Sequence, residues 1–398
     1  MKRLLNILFW SVIAAAFIGP GTITTAARAG SDYRFALAWA LLFSVFACLV
    51  LQEASGRVTV LTGKELGEAI RERFGTWIPG LVAAGIILGC AAYEAGNLLG
   101  GVAGLKLVVD APQAVLTLVA GAAAALLLST GNTRWIARVL GTLVALMGIA
   151  FVVTAVRVGP DFAELLTGLL IPRMPVGSTV LVLGLVGTTV VPYNLFLGSA
   201  LARDNELGEM RWGLGVAVIG GGVISIGVLV VGSVLGGGLE YERLAAVLDQ
   251  RLGQGAGSSL ALGLFAAGFT SAITAPLAAA LAARSLLAGA DDRAWAPTST
   301  RFRAVWMGVL LAGMAFGVAD VRPVPVIILA QAFNGLLLPL VAVFLLATMN
   351  DRRLLGSDGV NSGAQNVVML LVVVVCFVLG FRGLAAAAKA ALFFLGGS

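Results

Sequence analysis

The chain of 398 residues contains no histidine, only three cysteines and few charged residues. Without histidine it lacks the commonest protein ligand of metals and the side chain that usually titrates near neutral pH. The three cysteines, Cys48, Cys90 and Cys376, lie far apart in apolar stretches, so their spacing predicts neither a disulfide framework nor a metal motif. The sequence also has no nucleotide-binding, nucleic-acid-binding or catalytic motif. It therefore predicts a protein that is not an enzyme, uses no cofactor and binds no nucleic acid.

The shortage of charge excludes an ordinary water-soluble domain. Charged residues make up 12% of the chain and hydrophobic residues 59%, whereas a soluble domain carries about 25% charged residues. The mean hydropathy is +1.01. The composition indicates a polytopic helical membrane protein, and its 52 glycines suit the close helix packing of that class.

The apolar stretches predict eleven transmembrane helices, each with roughly the 20 residues that a bilayer requires. We expect the first to be a helix and not a cleaved signal. Two connecting segments, 63–75 and 237–256, have helical periods and predict short helices outside the membrane. The eleven predicted spans are 6–30, 36–62, 78–107, 112–130, 136–157, 176–202, 213–236, 257–287, 303–319, 323–348 and 365–393.

Two of these spans are interrupted by proline and glycine. The interruptions are Gly19-Pro20-Gly21-Thr22 in the first span and Val191-Pro192-Tyr193-Asn194 in the sixth. An unpaired backbone group in lipid costs several kcal/mol, so a break is tolerated only where the freed groups face protein, water or a substrate. Two such breaks at corresponding positions of two halves point to the substrate site of a transporter.

The positions of the breaks also predict the fold. Spans one to five (about 6–157) and six to ten (about 176–348) would form an all-α inverted repeat of the amino-acid-transporter, or LeuT-like, type. Helices 1 and 6 of this 5+5 arrangement would be broken, and an eleventh helix (about 365–393) would be appended. We expect one transmembrane transporter domain over 1–398.

The lysines and arginines predict the orientation. If the N-terminus is cytoplasmic, most of the 26 basic residues fall on the cytoplasmic side, and acidic residues are mixed into the outer loops. This bias predicts a cytoplasmic N-terminus and an external C-terminus. We expect an integral protein of a bacterial inner membrane, with the lipid bilayer as its surroundings.

Several motifs resemble those of the Nramp family of proton-coupled divalent-metal transporters, and the match runs along nearly the whole chain. Besides the two breaks, the motifs are Leu51-Gln52-Glu53-Ala54-Ser55-Gly56-Arg57, Gly268-Phe269-Thr270-Ser271-Ala272 and Arg352-Arg353-Leu354-Leu355-Gly356. The resemblance implies the same fold and a transport function.

The departures from the family pattern are concentrated at the site. Family metal binding rests on an Asp and an Asn of the first helix and a Met of the sixth, and these positions are Gly19, Thr22 and Val191 here. A nearby family histidine is Tyr193. Of the family's Asp-x-x-Glu in the third span only Glu94 remains. The scaffold therefore matches the family, whereas the metal ligands do not.

These departures favour an uncharged or anionic substrate. The half-helix that begins at Gly21 directs free N–H groups and its dipole into the break, where anions bind, and a dehydrated dication would lack compensating charge there. We expect a small anion such as bicarbonate or a carboxylate. The predicted substrate-binding residues are Gly19, Pro20, Gly21, Thr22, Thr188, Val191, Tyr193, Asn194 and Gln331.

Two alternatives stay open. One is a divalent cation of the Mn²⁺ or Mg²⁺ type, with or without proton coupling, because Mg²⁺ keeps several of its waters when it binds. The other is a transport-inactive relative that acts as a sensor or scaffold.

The charged residues of the spans have separate predicted roles. Glu94 is the candidate handle for a co-transported proton or cation, and pairing with Lys106 or Arg28 is the alternative. Arg28, about two turns along the half-helix, would repel cations near the outer vestibule or anchor the helix at the interface. Glu53 is expected to pair with Arg57.

Not every polar residue near the breaks is expected to bind a substrate. Threonines in membrane helices commonly bond a carbonyl of their own helix, and we expect this of Thr24, Thr25 and Thr274. Tyr193 is equally well explained as a packing residue. Asn334 is a candidate polar liner.

Overall fold

The computed structural model describes residues 18–130, 134–203, 205–289 and 292–396, and within them the chain is helical without any strand. A 3₁₀ helix, Asp292–Trp295, separates α12 from α13. The helices are α1 Pro20–Tyr33, α2 Ala38–Thr62, α3 Leu66–Phe74, α4 Trp77–Lys106, α5 Gln113–Thr130, α6 Arg134–Val158, α7 Phe162–Leu170, α8 Thr179–Thr189, α9 Pro192–Leu201, α10 Leu207–Gly232, α11 Tyr241–Leu252, α12 Ala256–Leu287, α13 Thr300–Val318, α14 Pro323–Thr348, α15 Arg352–Gly359 and α16 Gly363–Gly396.

The predicted spans correspond to these helices. In the described part of the chain, nine stretches are long and apolar enough to cross a membrane, and one of them, Thr179–Leu201, joins α8 and α9. The stretch Gln113–Ser129 is shorter and apolar, and it matches the predicted span 112–130. Of the predicted first span, 6–30, residues 6–17 lie outside the described part of the chain. The protein is therefore an integral membrane protein.

The second predicted break is present between α8 and α9, and at the first the described chain enters α1 at Pro20, with residues 1–17 outside the described part. Proline explains how both α1 and α9 begin. Gly19 and Val191 have extended backbones, and Pro20 and Pro192 occupy the first positions of α1 and α9. Proline suits a first helical position because it has no N–H to leave unpaired and its φ angle is preset for a helix. Both helices therefore begin at their proline, and α9 does so instead of continuing α8.

Small residues allow the long helices around the breaks to pack closely. A Cβ atom added to Gly268 of α12 would lie 2.5 Å from the Cα atom of Gly101 on α4. Only glycine therefore fits at this crossing, which brings the backbones of α4 and α12 into contact. Such close approach is the usual way in which membrane helices associate, because lipid offers no hydrophobic driving force between them.

The two connecting segments predicted to be helical outside the spans are helices. The segment 63–75 contains α3, which begins with a capping box in which Glu65 and Glu68 each bond the other's backbone N–H. The segment 237–256 contains α11, whose buried residues Tyr241, Leu244 and Leu248 are spaced three and four apart, as one face of a helix requires. This face holds α11 against the helix bundle.

Candidate functional site

The start of α1 lies beside the end of α8, so predicted site residues from both interruptions meet there. Thr22 Oγ1 of α1 lies 3.0 Å from Thr188 Oγ1 of α8, a distance that makes a hydrogen bond between the two. Neither α1 nor α9 has an acidic residue in its first turn or a side-chain cap. The free N–H groups in the first turns of α1 and α9 therefore have no carboxylate of their own helix beside them.

Gln331 of α14 reaches the same place. A Cβ atom on Gly21 would lie 2.1 Å from Gln331 Nε2 and 3.0 Å from Thr188 Oγ1. Glycine at position 21 is therefore required for the amide of Gln331 to lie against the start of α1. Pro20 packs in the opposite direction, since a Cβ on Gly100 of α4 would lie 2.2 Å from Pro20 Cβ.

The start of α9 supplies the remaining predicted residues. Val191 has the extended backbone that precedes α9 and contributes an aliphatic side chain. Tyr193 and Asn194 are both 2% exposed, and the Tyr193 ring packs edge-on against Tyr93 of α4, with centroids 5.6 Å apart. Packing therefore accounts for the Tyr193 ring, whereas it does not account for the Asn194 amide.

We call the resulting set the polar centre. It contains the residues that lie where α1, α4, α8, α9 and α14 meet. Its members are Gly19, Gly21, Thr22, Tyr93, Thr188, Tyr193, Asn194 and Gln331.

Buried polar atoms without partners are concentrated in and around this centre. Buried polar groups in proteins are nearly always hydrogen-bonded, so each exception needs an explanation. Both amide atoms of Asn194 and both of Gln331 have no hydrogen-bond partner among the described residues. Further unpaired atoms belong to Gln52, Tyr93, Glu94, Asn97 and Asn334, and Arg57 Nε, in the separate cluster described below, has only an ion-pair contact with Glu53. A concentration of this kind indicates that the polar centre takes its missing partners from a solute or from water.

Tyr93 is a member of the centre that the sequence analysis missed. It is fully buried, and its hydroxyl is near the hydroxyls of Tyr193 and Thr188 without meeting the geometry of a hydrogen bond to either. The signal in the sequence was a phenol within an apolar span, directly before the candidate carboxyl Glu94.

The side chains of Glu94 and Tyr93, which are neighbours on α4, point in different directions. It is fully buried, and Asn97 Nδ2 lies 3.4 Å from its Oε2. Adjacent residues of a helix face different directions, and a Cβ atom on Gly313 of α13 would lie 2.5 Å from Glu94 Cγ. Glu94 therefore packs toward α13, beside the polar centre.

The alternative that Glu94 pairs with Arg28 or Lys106 is wrong. Within the described ranges no ion pair includes Glu94, and Arg28 Nε instead lies 2.6 Å from Asp32 Oδ2, one turn along α1. Lys106 is exposed at the end of α4, three turns beyond Glu94. Arg28 is partly exposed and belongs to the end of α1 that is remote from the polar centre.

The predicted backbone bonding of the other threonines is confirmed. Thr24, Thr25 and Thr274 donate to the carbonyl oxygens four residues earlier. Thr24 Oγ1 also lies 2.6 Å from the Tyr241 hydroxyl of α11. Burial raises the pKa of Tyr241 above its usual range, so this phenol stays protonated and α11 is bonded to the first half-helix.

A second polar group, the Arg57 cluster, surrounds a buried guanidinium of α2. It consists of Glu53, Arg57, Arg211, Gly359 and Asn361. Arg57 Nη2 donates to Asn361 Oδ1 at 2.5 Å and Nη1 to the Gly359 carbonyl at 3.3 Å. The predicted Glu53–Arg57 pair is confirmed, with Nε 3.3 Å from Glu53 Oε1, which also accepts from Arg211 at 2.6 Å.

The described residues do not assemble a conventional metal centre. No group of three or more His, Cys, Asp or Glu side chains lies close enough to hold an ion in the part of the chain that the structure covers. The donors of the polar centre are instead hydroxyl and amide oxygens, together with the backbone at the two breaks.

A buried polar centre between the interrupted helix α8–α9 and the proline-initiated helix α1, in a membrane protein whose described residues form helices and no strand, is the arrangement of a transporter of the LeuT-like class. The chain belongs to the Nramp family, because the family model described as natural resistance-associated macrophage protein-like matches residues 11–386. Members of this family are transporters and not enzymes.

Individual relatives extend the comparison. The chain is 27% identical over 286 residues to the divalent metal cation transporter MntH of Yersinia pestis (strain Pestoides F). The aligned region covers 67% of this chain and 69% of the relative. It is 25% identical over 391 residues to the protein of that name from Erwinia tasmaniensis, covering 93% and 92% of the two chains.

Two solved structures support the fold. A manganese transporter of Eremococcus coleocola superposes with a TM-score of 0.77 at 17% identity, covering 98% of this chain and 88% of that chain. The inward-facing form of Mhp1 gives a TM-score of 0.55 at 15% identity, with coverage of 96% and 91%. Both likenesses concern the fold alone.

Proposed function

We propose that the protein is a secondary transporter that carries a divalent cation, Mn²⁺ or Mg²⁺, through the polar centre by alternating access. The observation that carries the proposal is that the amide oxygens of Asn194 and Gln331 are buried without a hydrogen-bond partner among the described residues. An ion that enters this centre finds these two oxygens in addition to the hydroxyls of Thr22 and Thr188, which bond each other.

The kind of donor argues for a hard cation. Imidazole and thioether ligands select softer transition metals, whereas carbonyl, carboxylate and water oxygens suit Mg²⁺, Ca²⁺ and Mn²⁺. The chain has no histidine and has Val191 at the second break. The names of the relatives, a divalent metal cation transporter and a manganese transporter, favour the same class of substrate.

The charge of the ion limits how it can bind. A bare dication among neutral oxygens would pay a large desolvation penalty, so we infer that it keeps part of its water shell, as Mg²⁺ commonly does. Glu94 is the fully buried carboxyl adjacent to the centre. An ionisable group inside a transmembrane helix marks an ion or proton path. We propose that Glu94 carries the proton whose movement is coupled to that of the cation.

A small anion such as bicarbonate or a carboxylate is the second candidate. The observation in its favour is the lack of any acidic residue in the first turns of α1 and α9, which leaves two positive helix ends facing the centre. The names of the relatives do not support this candidate.

Uptake into proteoliposomes separates the candidates. We expect uptake of Mn²⁺ or Mg²⁺ that changes with a pH gradient, and no uptake of bicarbonate or small carboxylates. Anion uptake without cation uptake would contradict the proposal, and the absence of any flux would favour a sensor or scaffold.

A pair of matched variants tests whether the polar centre is the site. Thr188→Val removes a hydroxyl there, and we expect the KM for the cation to rise about tenfold, the effect of about 1.4 kcal/mol. Thr154→Val is the control, because Thr154 is equally buried but donates to Ala150 of its own helix, α6. Equal effects of the two variants would contradict the assignment.

The remaining expectations concern the whole chain. The division into repeats at about 6–157 and 176–348 with an added helix at about 365–393, the cytoplasmic N-terminus, the external C-terminus and the bacterial inner membrane all stay predictions. Labelling of single introduced cysteines in intact cells, in a variant without Cys48, Cys90 and Cys376, would test the orientation.

A further inference from the structure

The space beside Gly19 is occupied by hydroxyl groups of two other helices. A Cβ atom on Gly19 would lie 3.6 Å from the hydroxyl oxygen of Tyr93 on α4 and 3.5 Å from Oγ of Ser271 on α12. Both distances are ordinary van der Waals contacts, so the two oxygens lie beside Gly19 without filling the space next to it.

The Tyr93 hydroxyl meets the geometry of a hydrogen bond with no described residue. Tyr93 is fully buried, and its hydroxyl oxygen is without a hydrogen-bond partner among the residues described. A buried phenol normally satisfies its hydroxyl, and leaving it unpaired is destabilising. Phenylalanine would give the same ring packing against Tyr193 without this penalty, so the retained hydroxyl indicates a ligand.

We propose that the Tyr93 hydroxyl is an oxygen ligand of the transported cation, directly or through one of its waters, and that Tyr93 and Ser271 together determine the selectivity of the first break. This inference rests on the proposed function. It adds α12, through Ser271, to the helices α1, α4, α8, α9 and α14 that form the polar centre.

The neutrality of these two ligands has a consequence for selectivity. Hydroxyl oxygens add dipoles and no negative charge, so the break should hold a cation with its water shell more readily than a bare one. A carboxylate at position 19 should reverse this preference. The backbone of Gly19 is extended, with φ −92° and ψ 175°, a conformation that aspartate adopts without strain.

The test uses the full-length protein in proteoliposomes with Mn²⁺ and Mg²⁺ as probes. We expect Tyr93→Phe to raise the KM for Mn²⁺ about tenfold, the effect of losing one good oxygen partner, while the thermal stability stays equal or rises. Tyr33→Phe is the matched control, because the Tyr33 hydroxyl bonds the Val176 carbonyl on the exposed surface.

A double-mutant cycle separates a ligand from a packing residue. Gly19→Asp should lower the KM for Mn²⁺ relative to that for Mg²⁺, and its carboxylate should accept a hydrogen bond from Tyr93. The effect of Gly19→Asp on the ratio of the two KM values should therefore differ at least about threefold between the unmodified protein and the Tyr93→Phe variant, as is usual for groups in contact. Gly19→Asn, of the same size without the charge, should give a smaller gain.

The outcomes are distinguishable. If the unmodified protein carries Mn²⁺ or Mg²⁺ and Tyr93→Phe leaves both KM values within about twofold, the assignment of Tyr93 is wrong and the proposed function stands. If the unmodified protein carries no divalent cation, both are wrong. If Gly19→Asp and Tyr93→Phe act independently, the two residues do not share a bound ion and the assignment is again overturned.

Discussion

The polar centre and the Arg57 cluster are both buried groups of polar side chains, but they differ in how they are satisfied. In the Arg57 cluster the guanidinium finds a carbonyl, an amide oxygen and a carboxylate within the protein. In the polar centre, Asn194 and Gln331 are buried with all four amide atoms unpaired within the described ranges. The difference is the basis for proposing that the first region serves stability and the second serves binding.

The physical reason is the high free-energy cost of an unpaired polar group in a dry interior. A protein that only had to fold would replace such amides by apolar residues of similar shape, at little cost or with a gain in stability. Keeping them makes sense when a solute supplies the partners during part of a transport cycle. The comparison therefore predicts opposite responses to apolar substitution in the two regions.

The largest effect is expected in the Arg57 cluster. Arg57→Met keeps much of the side-chain volume but leaves Asn361 and Gly359 without their donor and Glu53 with only Arg211. Removing one partner of a buried ion pair costs about 3–5 kcal/mol. We expect a marked fall in the thermal denaturation midpoint in detergent. A midpoint equal to that of the unmodified protein would show that the cluster does not stabilise the fold.

The second-largest effect is expected in the polar centre, where a substitution should impair transport and not stability. Asn194→Leu should reduce cation uptake about 100-fold, equal to about 2.7 kcal/mol, while the denaturation midpoint stays equal or rises. Asn205→Leu is the control, because that amide donates to the Leu201 carbonyl at the end of α9, away from the centre. Loss of stability in Asn194→Leu would remove the distinction between the two regions.

A smaller effect is expected where the outer helix α11 meets α1. Tyr241→Phe removes the hydrogen bond between the phenol and Thr24, while Thr24 keeps its bond to the Pro20 carbonyl. We expect a loss of about 1 kcal/mol, the usual contribution of one hydrogen bond, in the free energy of unfolding. Urea titration of the detergent-solubilised protein would measure it. A loss several times larger would mean that α11 is held mainly by this contact.

The smallest effect is expected for an exposed ion pair. Arg203 Nη2 lies 3.4 Å from Glu65 Oε1 and 3.6 Å from Glu68 Oε2, and nearly half of the Arg203 side chain is exposed. Exposed pairs contribute about 0–1 kcal/mol, so Arg203→Gln should change the denaturation midpoint little. A change as large as that of Arg57→Met would mean that burial does not explain the difference between the pairs.

Much of the fold was predictable because it depends on local patterns. Apolar length predicted the spans, proline and glycine predicted the breaks at Pro20 and Pro192, and helical periods predicted α3 and α11. Two of the predicted site residues also meet, since the start of α1 and the end of α8 place Thr22 and Thr188 within hydrogen-bond distance. Hydropathy and proline geometry operate over a few residues, and a single sequence contains them.

Contacts between distant helices were decided by the tertiary structure. Nothing in the order of residues indicates that the Tyr93 hydroxyl lies beside Gly19, that the Gln331 amide covers Gly21, or that Glu94 turns toward Gly313. Such contacts depend on the crossing angles and rotation of helices, which follow from the packing of the whole bundle. The chain alone thus specifies where its helices break, whereas the bundle specifies which side chains meet there, because the first depends on neighbouring residues and the second on every helix at once.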